Sequence, residues 1–311
     1  MTSRSDAKTG SKTFSWLVTL AATSHLVFVT VMGRLRWEHA AADLLLVVLA
    51  WAGAAPLRFL RGGFPLWLTG MLLDNQWLWL GLRGRIHTGD LWELERVLFP
   101  CPDGTTWPAY FETRTNAVLD FFCGFSYAAY LYEVFGLALL FFFRKHPRFG
   151  VMCWAFFLVN AMGVVTYMLY PAAPPWYVMK YGPGPADLTA PPSPAGTSRF
   201  DALLGIRYFA NFYARNPNVF GAMPSLHAAY PVLVVWQAWG LGKAWRVGTI
   251  AFAALVAFSA IYLQHHYILD VVAGVVAALA ACWVVEYALV KRESPAAAPV
   301  PLMPDGGDSR A

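Results

Sequence analysis

Hydrophobic residues in this chain gather into long uninterrupted runs, and the charges are confined to the stretches between them. Eight runs cover residues 14–33, 40–60, 64–82, 117–143, 149–170, 226–241, 245–263 and 266–290. They approach or exceed the ~20 residues with which a helix crosses the hydrocarbon core of a bilayer. A helix satisfies its own backbone hydrogen bonds inside lipid, so runs of this length predict transmembrane helices. Seven are read as spans. The run 64–82 carries Asp74-Asn75-Gln76, polar groups that cost free energy unless they face a protein interior, and it spans, re-enters or lies flat. The fold class expected is all-α, an integral membrane bundle with seven or eight spans.

Two stretches outside the runs are long, 83–116 and 171–225, and loops of that length usually carry a function. The second is rich in Pro and Gly as far as Pro194. Residues 200–209 then suit a short interfacial helix that could roof a site. The chain divides into a basic cytoplasmic tail (1–13), N-terminal membrane helices with a first external loop (14–116), a membrane domain with a lid loop at 171–225 (117–290), and a disordered tail (291–311). Run 14–33 is long for a signal peptide and lacks a clear small-residue cleavage site, so it is read as a retained span.

Orientation follows from the basic loops. Arg144-Lys145-His146-Pro147-Arg148, residues 243–246 and Lys291-Arg292 fall on one face if the last five spans alternate, and Lys and Arg mark the cytoplasmic side. The opposite face then receives Tyr170-Pro171, residues 221–227 and His265-His266. A basic N-terminus on the inside as well requires an even span number, which favours a crossing by 64–82.

Composition supports this picture and narrows it. Of 311 residues 58% are hydrophobic and 13% charged, against roughly 25% charged in soluble domains. The net charge of +5 flanks apolar runs as topology determinants do, so it is read as orientation and not as a nucleic-acid footprint. Of the four cysteines, all but Cys101 lie in apolar runs, and no disulfide framework can be read from them. The tryptophans and tyrosines near run ends read as interfacial belts. No metal-ligand spacing, Walker run or dinucleotide glycine fingerprint occurs, so neither a metal nor a nucleotide cofactor is expected.

Two runs carry candidate chemistry. Gly221-Ala222-Met223-Pro224-Ser225-Leu226-His227 precedes an apolar helix and sets free backbone N–H groups and a hydroxyl where an anion can bind. The plainer reading is an ordinary N-cap followed by a helix-end histidine. In residues 259–270, His266 and Asp270 stand four apart and share a helix face, so the carboxylate can accept the imidazole N–H. The plainer reading there is a buried ion pair that joins helices. His265 projects about 100° from His266 on a helix and reads as structural. His25 and Glu133 lie inside spans and call for interior hydrogen bonds. Asp120 and Tyr127, near the start of their span, are within reach of a lipid head group.

Together the two runs resemble the signatures of the type-2 phosphatidic-acid phosphatase superfamily, a Pro-Ser-x-His run and a Ser-Arg-x5-His-x3-Asp run. The match falls on Pro224, Ser225 and His227, and again on Ser259, His266 and Asp270. It departs at Leu226, where the phosphatases have Gly, and at Ala260, where they have Arg. Ala173-Pro174-Pro175-Trp176 likewise lacks the cations of their Lys-x6-Arg-Pro signature. The branch containing inositol phosphorylceramide synthases shares the Leu and lacks that Arg. It is similar also at 170–177, at Arg199-Phe200-Asp201 with Gly205, and through 216–227; sphingomyelin synthases are more distant. The resemblance covers about 117–290.

What the resemblance implies is a six-helix catalytic core preceded by one or two extra N-terminal helices. His266 would attack phosphorus, Asp270 would hold its other nitrogen, and His227 would serve as general acid and then base. Ser225, Arg199, Tyr177 and Asp120 are the candidates for binding phosphate or head group. The activity expected is transfer of a phosphorylated head group, phosphoinositol-like, from a glycerophospholipid to a lipid or polyol alcohol. The alternative is a lipid phosphate phosphatase that uses water. Missing cations favour the transferase, because a phosphate monoester carries about two charges and a diester fewer. A scaffold or transporter would not need the trio. Partners expected are membrane lipids as donor and acceptor, with no nucleic acid. The site would face the non-cytoplasmic side of a bacterial inner membrane or a Golgi-type membrane.

Overall fold

The structure is a computed structural model that describes residues 4–291, with side chains for 11–289. Residues 1–3 of the expected N-terminal tail and 292–311 of the expected C-terminal tail lie outside the described residues. The helices are α1 (Arg4–Val31), α2 (Trp37–Trp51), α3 (Ala54–Asp74), α4 (Asp90–Leu98), α5 (Trp107–Glu112), α6 (Ala117–Phe143) and α7 (Arg148–Leu169). They continue with α8 (Pro175–Tyr181), α9 (Ser198–Leu204), α10 (Tyr208–Tyr213), α11 (Leu226–Ala238), α12 (Lys243–Tyr262) and α13 (Ile268–Glu286). The described residues contain no β-strand, only isolated bridges that join His87, Ala172 and Gly221.

The protein is an all-α, multi-pass integral membrane protein. Among the described residues, five stretches are long and apolar enough to cross a bilayer: Ser11–Val31, Ala117–Phe143, Arg148–Leu169, Lys243–Tyr262 and Ile268–Leu289. Their outer faces expose large apolar side chains such as Phe143, Val165, Val276 and Trp283, as lipid contact requires. The short α11 is packed against α6, α7, α12 and α13. At one end of this bundle Arg148 pairs with Glu286 at 3.0 Å and donates to Gln237 at 3.1 Å, while Trp236 donates to Glu286 at 2.7 Å. Those bonds pin α7, α11 and α13 together. The other end carries the long loops.

The N-terminal helices divide differently from the apolar runs. Sequence placed a break near Arg61-Gly62-Gly63, between runs 40–60 and 64–82. The turn instead falls at Ala52-Gly53, where Gly53 has φ 121°, and α3 passes straight through the glycine pair. A Cβ on Gly62 would stand 2.5 Å from the Phe149 ring, so these glycines allow α3 to lie close against α7. After Asp74 the chain tightens into two 3-10 turns, Gln76–Leu78 and Leu80–Leu82. Between α1, α2 and α3, the His25 Nδ1 and Asp43 Oδ2 atoms are 2.7 Å apart, Trp67 donates to Asp43 at 3.1 Å, and His39 Nε2 meets Asp74 Oδ2 at 2.7 Å. His25 thus has the interior partner its position called for.

The roof expected at 200–209 is two short helices and not one. Gly205, at φ 65°, ends α9, and the Asp201 carboxylate accepts from the Phe209 and Ala210 amides that open α10. The side chain thereby caps the helix that follows it.

Candidate active site

Two helix starts and one loop build the site. At the start of α11, the Ser225 hydroxyl accepts from the Ala228 amide at 3.3 Å, and the Tyr167 hydroxyl donates to the Pro224 carbonyl at 3.0 Å. The Ser225 amide donates to the Asp270 carbonyl at 2.9 Å, which fixes the turn onto α13. Only a glycine permits this approach: a Cβ on Gly274 would lie 2.2 Å from the Ser225 carbonyl oxygen. Leu226, for its part, fills the space that Gly163 leaves on α7. Ala260 is sealed in an apolar cluster with Cys123, Tyr127 and Ala228, which closes the position where the phosphatases carry Arg.

The loop from α12 to α13 brings in the second histidine. Gln264 adopts a left-handed backbone, φ 59°, and the Ala260 carbonyl accepts from the amides of both His265 and His266. Asp270 Oδ2 then accepts from the Tyr267 amide at 2.9 Å, so the carboxylate caps its own helix. His266 Nδ1 lies 3.5 Å from the same oxygen, and His266 Nε2 lies 3.1 Å from His227 Nδ1. Both His266 and Asp270 are buried. The facing carboxylate favours a proton on His266 Nδ1, which leaves the Nε2 lone pair turned toward His227. Tyr127 stacks on the His227 ring at 4.2 Å, and Tyr130 lies against it at 4.7 Å.

His265 belongs to the wall. Its Nε2 donates to the Pro194 carbonyl at 3.1 Å, and its ring stacks on Tyr213 at 4.5 Å. Burial, with His266 beside it, holds its pKa down to about 3, so it stays neutral.

Two cavities reach the histidines. One of about 70 Å³ lies against Trp176, Ser193, Asn218 and the three histidines. A larger one of about 700 Å³ runs from His227 and His266 past Tyr130 and Tyr208 to a charged end at Arg36, Glu38, Asp74 and Arg215. Asn216 and Asn218 line both. Their carboxamide oxygens accept from the Asn218 and Phe220 amides at 3.0 and 3.2 Å.

The remaining sequence candidates lie elsewhere. Arg199 Nε donates to Asp120 at 2.6 Å, its other nitrogens reach Gln264 and the Tyr262 carbonyl at 3.3 Å, and the Tyr262 hydroxyl also donates to Asp120, at 2.9 Å. Asp120 and Arg199 therefore satisfy one another and moor α9 to α6 and α12; neither lines the cavities at the histidines. The Tyr177 hydroxyl accepts from the Asp187 amide at 2.7 Å and is likewise committed to the loop. Ser225 lies beneath His227, with its hydroxyl in the helix cap. Glu133 opens toward Trp245 and Thr249, away from this site.

One residue with a bearing on the site was not singled out from sequence. Glu95 of α4 is fully buried and accepts from the Ile268 amide at 2.9 Å and the Leu269 amide at 3.2 Å, the first free N–H groups of α13. Burial raises its pKa to about 7 against the pull of those two donors, and Asp270 adds to the rise. The signal was an amphipathic 90–98 stretch in which Leu91 and Glu95, four apart, face inward together.

Comparison with known proteins places these features in context. The PAP2 superfamily model matches residues 90–284, so it begins at the first residue of α4. The phosphoinositol dihydroceramide synthase of Bacteroides thetaiotaomicron is 36% identical over 273 residues, 83% of this chain and 86% of that protein. The catalytic subunit of inositol phosphorylceramide synthase from Schizosaccharomyces pombe is 30% identical over 188 residues, 60% of this chain and 44% of that protein. Inositol phosphorylceramide synthase of Candida albicans is 31% identical over 169 residues, covering 54% and 36%. No solved structure matches significantly.

Proposed function

This chain belongs to the PAP2 superfamily, in the branch of the phosphoinositol dihydroceramide and inositol phosphorylceramide synthases, and from that footing we propose that it is a lipid phosphotransferase. It moves a phosphorylated head group, phosphoinositol or a close analogue, from a glycerophospholipid to the hydroxyl of a lipid or polyol acceptor. The observation that carries the reading is the line Asp270, His266, His227: a carboxylate oxygen 3.5 Å from one imidazole nitrogen, and the second histidine 3.1 Å from the other.

In the first step His266 Nε2 attacks phosphorus. An N–P bond forms, the P–O bond to diacylglycerol breaks, and His227 supplies the proton that the departing oxygen needs. Asp270 stabilises the positive charge that develops on the His266 ring. In the second step the acceptor hydroxyl gives its proton to His227, its oxygen bonds to phosphorus, and the N–P bond breaks. Acid–base assistance of this kind contributes about 10²- to 10⁴-fold. The imidazoles touch in the free enzyme, so substrate entering from the larger cavity parts them. With Arg199 held by Asp120, the Asn216 and Asn218 side chains are the donors closest at hand for the phosphoryl oxygens. A phosphodiester suits neutral donors better than a monoester does, which sets the transferase above the phosphatase reading.

The basic loop 144–148 and Lys291 stand at the far end of the bundle from the histidines, which supports a catalytic face on the non-cytoplasmic side of the membrane. Purified protein given a glycerophospholipid labelled in its head-group phosphate, with and without ceramide, tests the reaction. Acceptor-dependent transfer of label to ceramide is expected. Labelled inorganic phosphate as the sole product contradicts it.

A further inference from the structure

The larger cavity is asymmetric in its chemistry and in its origin. Its histidine end is built by the superfamily domain, residues 90–284, whereas Arg36 and Glu38 at the start of α2 and Asp74 at the end of α3 lie outside that match. The lid reaches the same wall through Arg215, just past α10. These side chains form one network: Arg215 pairs with Glu38 at 3.0 Å, Arg36 pairs with Asp74, and the Arg36 Nε atom stands 3.9 Å from Glu38. The four formal charges cancel. None of the four side chains is fully buried, so each has surface turned to the cavity or its mouth.

That end cannot take acyl chains, because charged groups stripped of water by hydrocarbon are heavily penalised. Nor does it offer a second phosphate an unpaired cation from Arg36 or Arg215, since each is held by a carboxylate. Guanidinium donors beside carboxylate acceptors match groups that donate and accept at once, and hydroxyls on neighbouring carbons do so. The reaction points the same way. The P–O bond to diacylglycerol breaks and the bond to the acceptor forms, but the bond between phosphorus and the head group persists. The head group therefore stays on the enzyme through both steps while the lipid alcohols exchange, and it needs a pocket of its own beside the histidines.

We propose that Arg36, Glu38, Asp74 and Arg215 form the head-group selectivity site, in which the N-terminal helices and the lid together recognise the vicinal hydroxyls of a cyclic polyol on the donor phosphate. This rests on the transferase reading and adds to it the substrate part read by residues outside the superfamily domain. The Arg215 to Glu38 pair also closes the lid over the bound polyol.

The test is kcat/KM for phosphatidylinositol against phosphatidylglycerol, whose head group is a shorter diol, using the full-length protein with saturating ceramide. Glu38→Gln keeps the side-chain length, Arg215→Gln removes the guanidinium from a largely exposed position, and a thermal melt of each variant monitors folding. The unaltered protein is expected to prefer phosphatidylinositol. Each variant is expected to lose about tenfold or more with that donor, to lose less with phosphatidylglycerol, whose single diol spans fewer of these contacts than a ring of hydroxyls, and to keep the KM for ceramide. A parallel fall with both donors, or an unchanged preference in both variants, overturns the assignment while leaving the transferase intact. Failure of the unaltered protein to transfer from any donor contradicts the reaction itself and takes this site with it.

Discussion

The amide of Ser225 donates to the carbonyl of Asp270 at 2.9 Å, so the turn that delivers His227 and the helix that carries Asp270 are a single hydrogen-bonded unit. The spacing of the two segments that carry the histidines is thus set by backbone, with Gly274 as the residue that allows the approach. Gly274→Ala is expected to push the Ser225 turn off α13. Overpacking of this kind costs about 1–3 kcal/mol, and displacement of a reacting group by about 1 Å lowers turnover about 10²-fold. Activity and melting temperature measured together check this, since a fall in melting temperature with activity intact would separate the turn from the chemistry.

Glu95 predicts a pH dependence with a definite sign. Its pKa is raised in the folded protein to about 7, so the native state holds a proton that the unfolded chain releases near 4.5. Its contribution to stability is complete below about pH 4.5 and is lost as pH rises through about 7. Catalysis is expected to run the other way, because the carboxylate form best accepts the two amides that open α13, the helix that carries Asp270. The titratable groups facing Glu95 are Asp270 and Tyr267. Glu95→Gln is expected to flatten the rise in kcat/KM through pH 7 and to lower its plateau about tenfold, with the donor KM little changed. An identical pH profile in the variant would show that Glu95 only packs.

Arg199 and Asp120 predict a stability effect where sequence suggested a binding one. Removing one member of a buried pair leaves an uncompensated charge, a loss of about 3–5 kcal/mol when burial is complete and less here, where the Arg199 side chain is 23% exposed. Arg199→Met is expected to lower the melting temperature, and Asp120→Asn added to it to restore part of the loss. The KM for donor should hold in both. A rise in donor KM for Arg199→Met that the second change does not correct would return Arg199 to the phosphate.

The pair His266 and Asp270 could be read from sequence because its spacing is local, one turn of helix, whereas His227, 39 residues from His266, joined it through the resemblance of the two runs to the superfamily signatures. Contacts between distant segments left no such trace. Arg199 looked like a free cation because its partner is 79 residues away on α6, and Glu95 meets Ile268 across 173 residues. Gly62-Gly63 read as a break because glycine breaks helices more often than it admits a neighbour, and Phe149, the neighbour admitted, belongs to another run. The bundle itself was legible, since the bilayer sets both the length and the polarity of its helices. The pairing of the N-terminal helices was not, because charges such as Asp43 and Asp74 are hidden by partners that only the packed state supplies.

The proposed transfer passes through a covalent intermediate on His266. Protein mixed with a donor labelled at its phosphate, without acceptor, and quenched in base within one turnover should carry label that is stable to base and labile to acid. The label should map to the peptide containing His266, disappear in His266→Ala, and discharge to ceramide when acceptor is added before the quench. Full transferase turnover with no protein-bound label, or label persisting in His266→Ala, would rule out a phosphohistidine at this position.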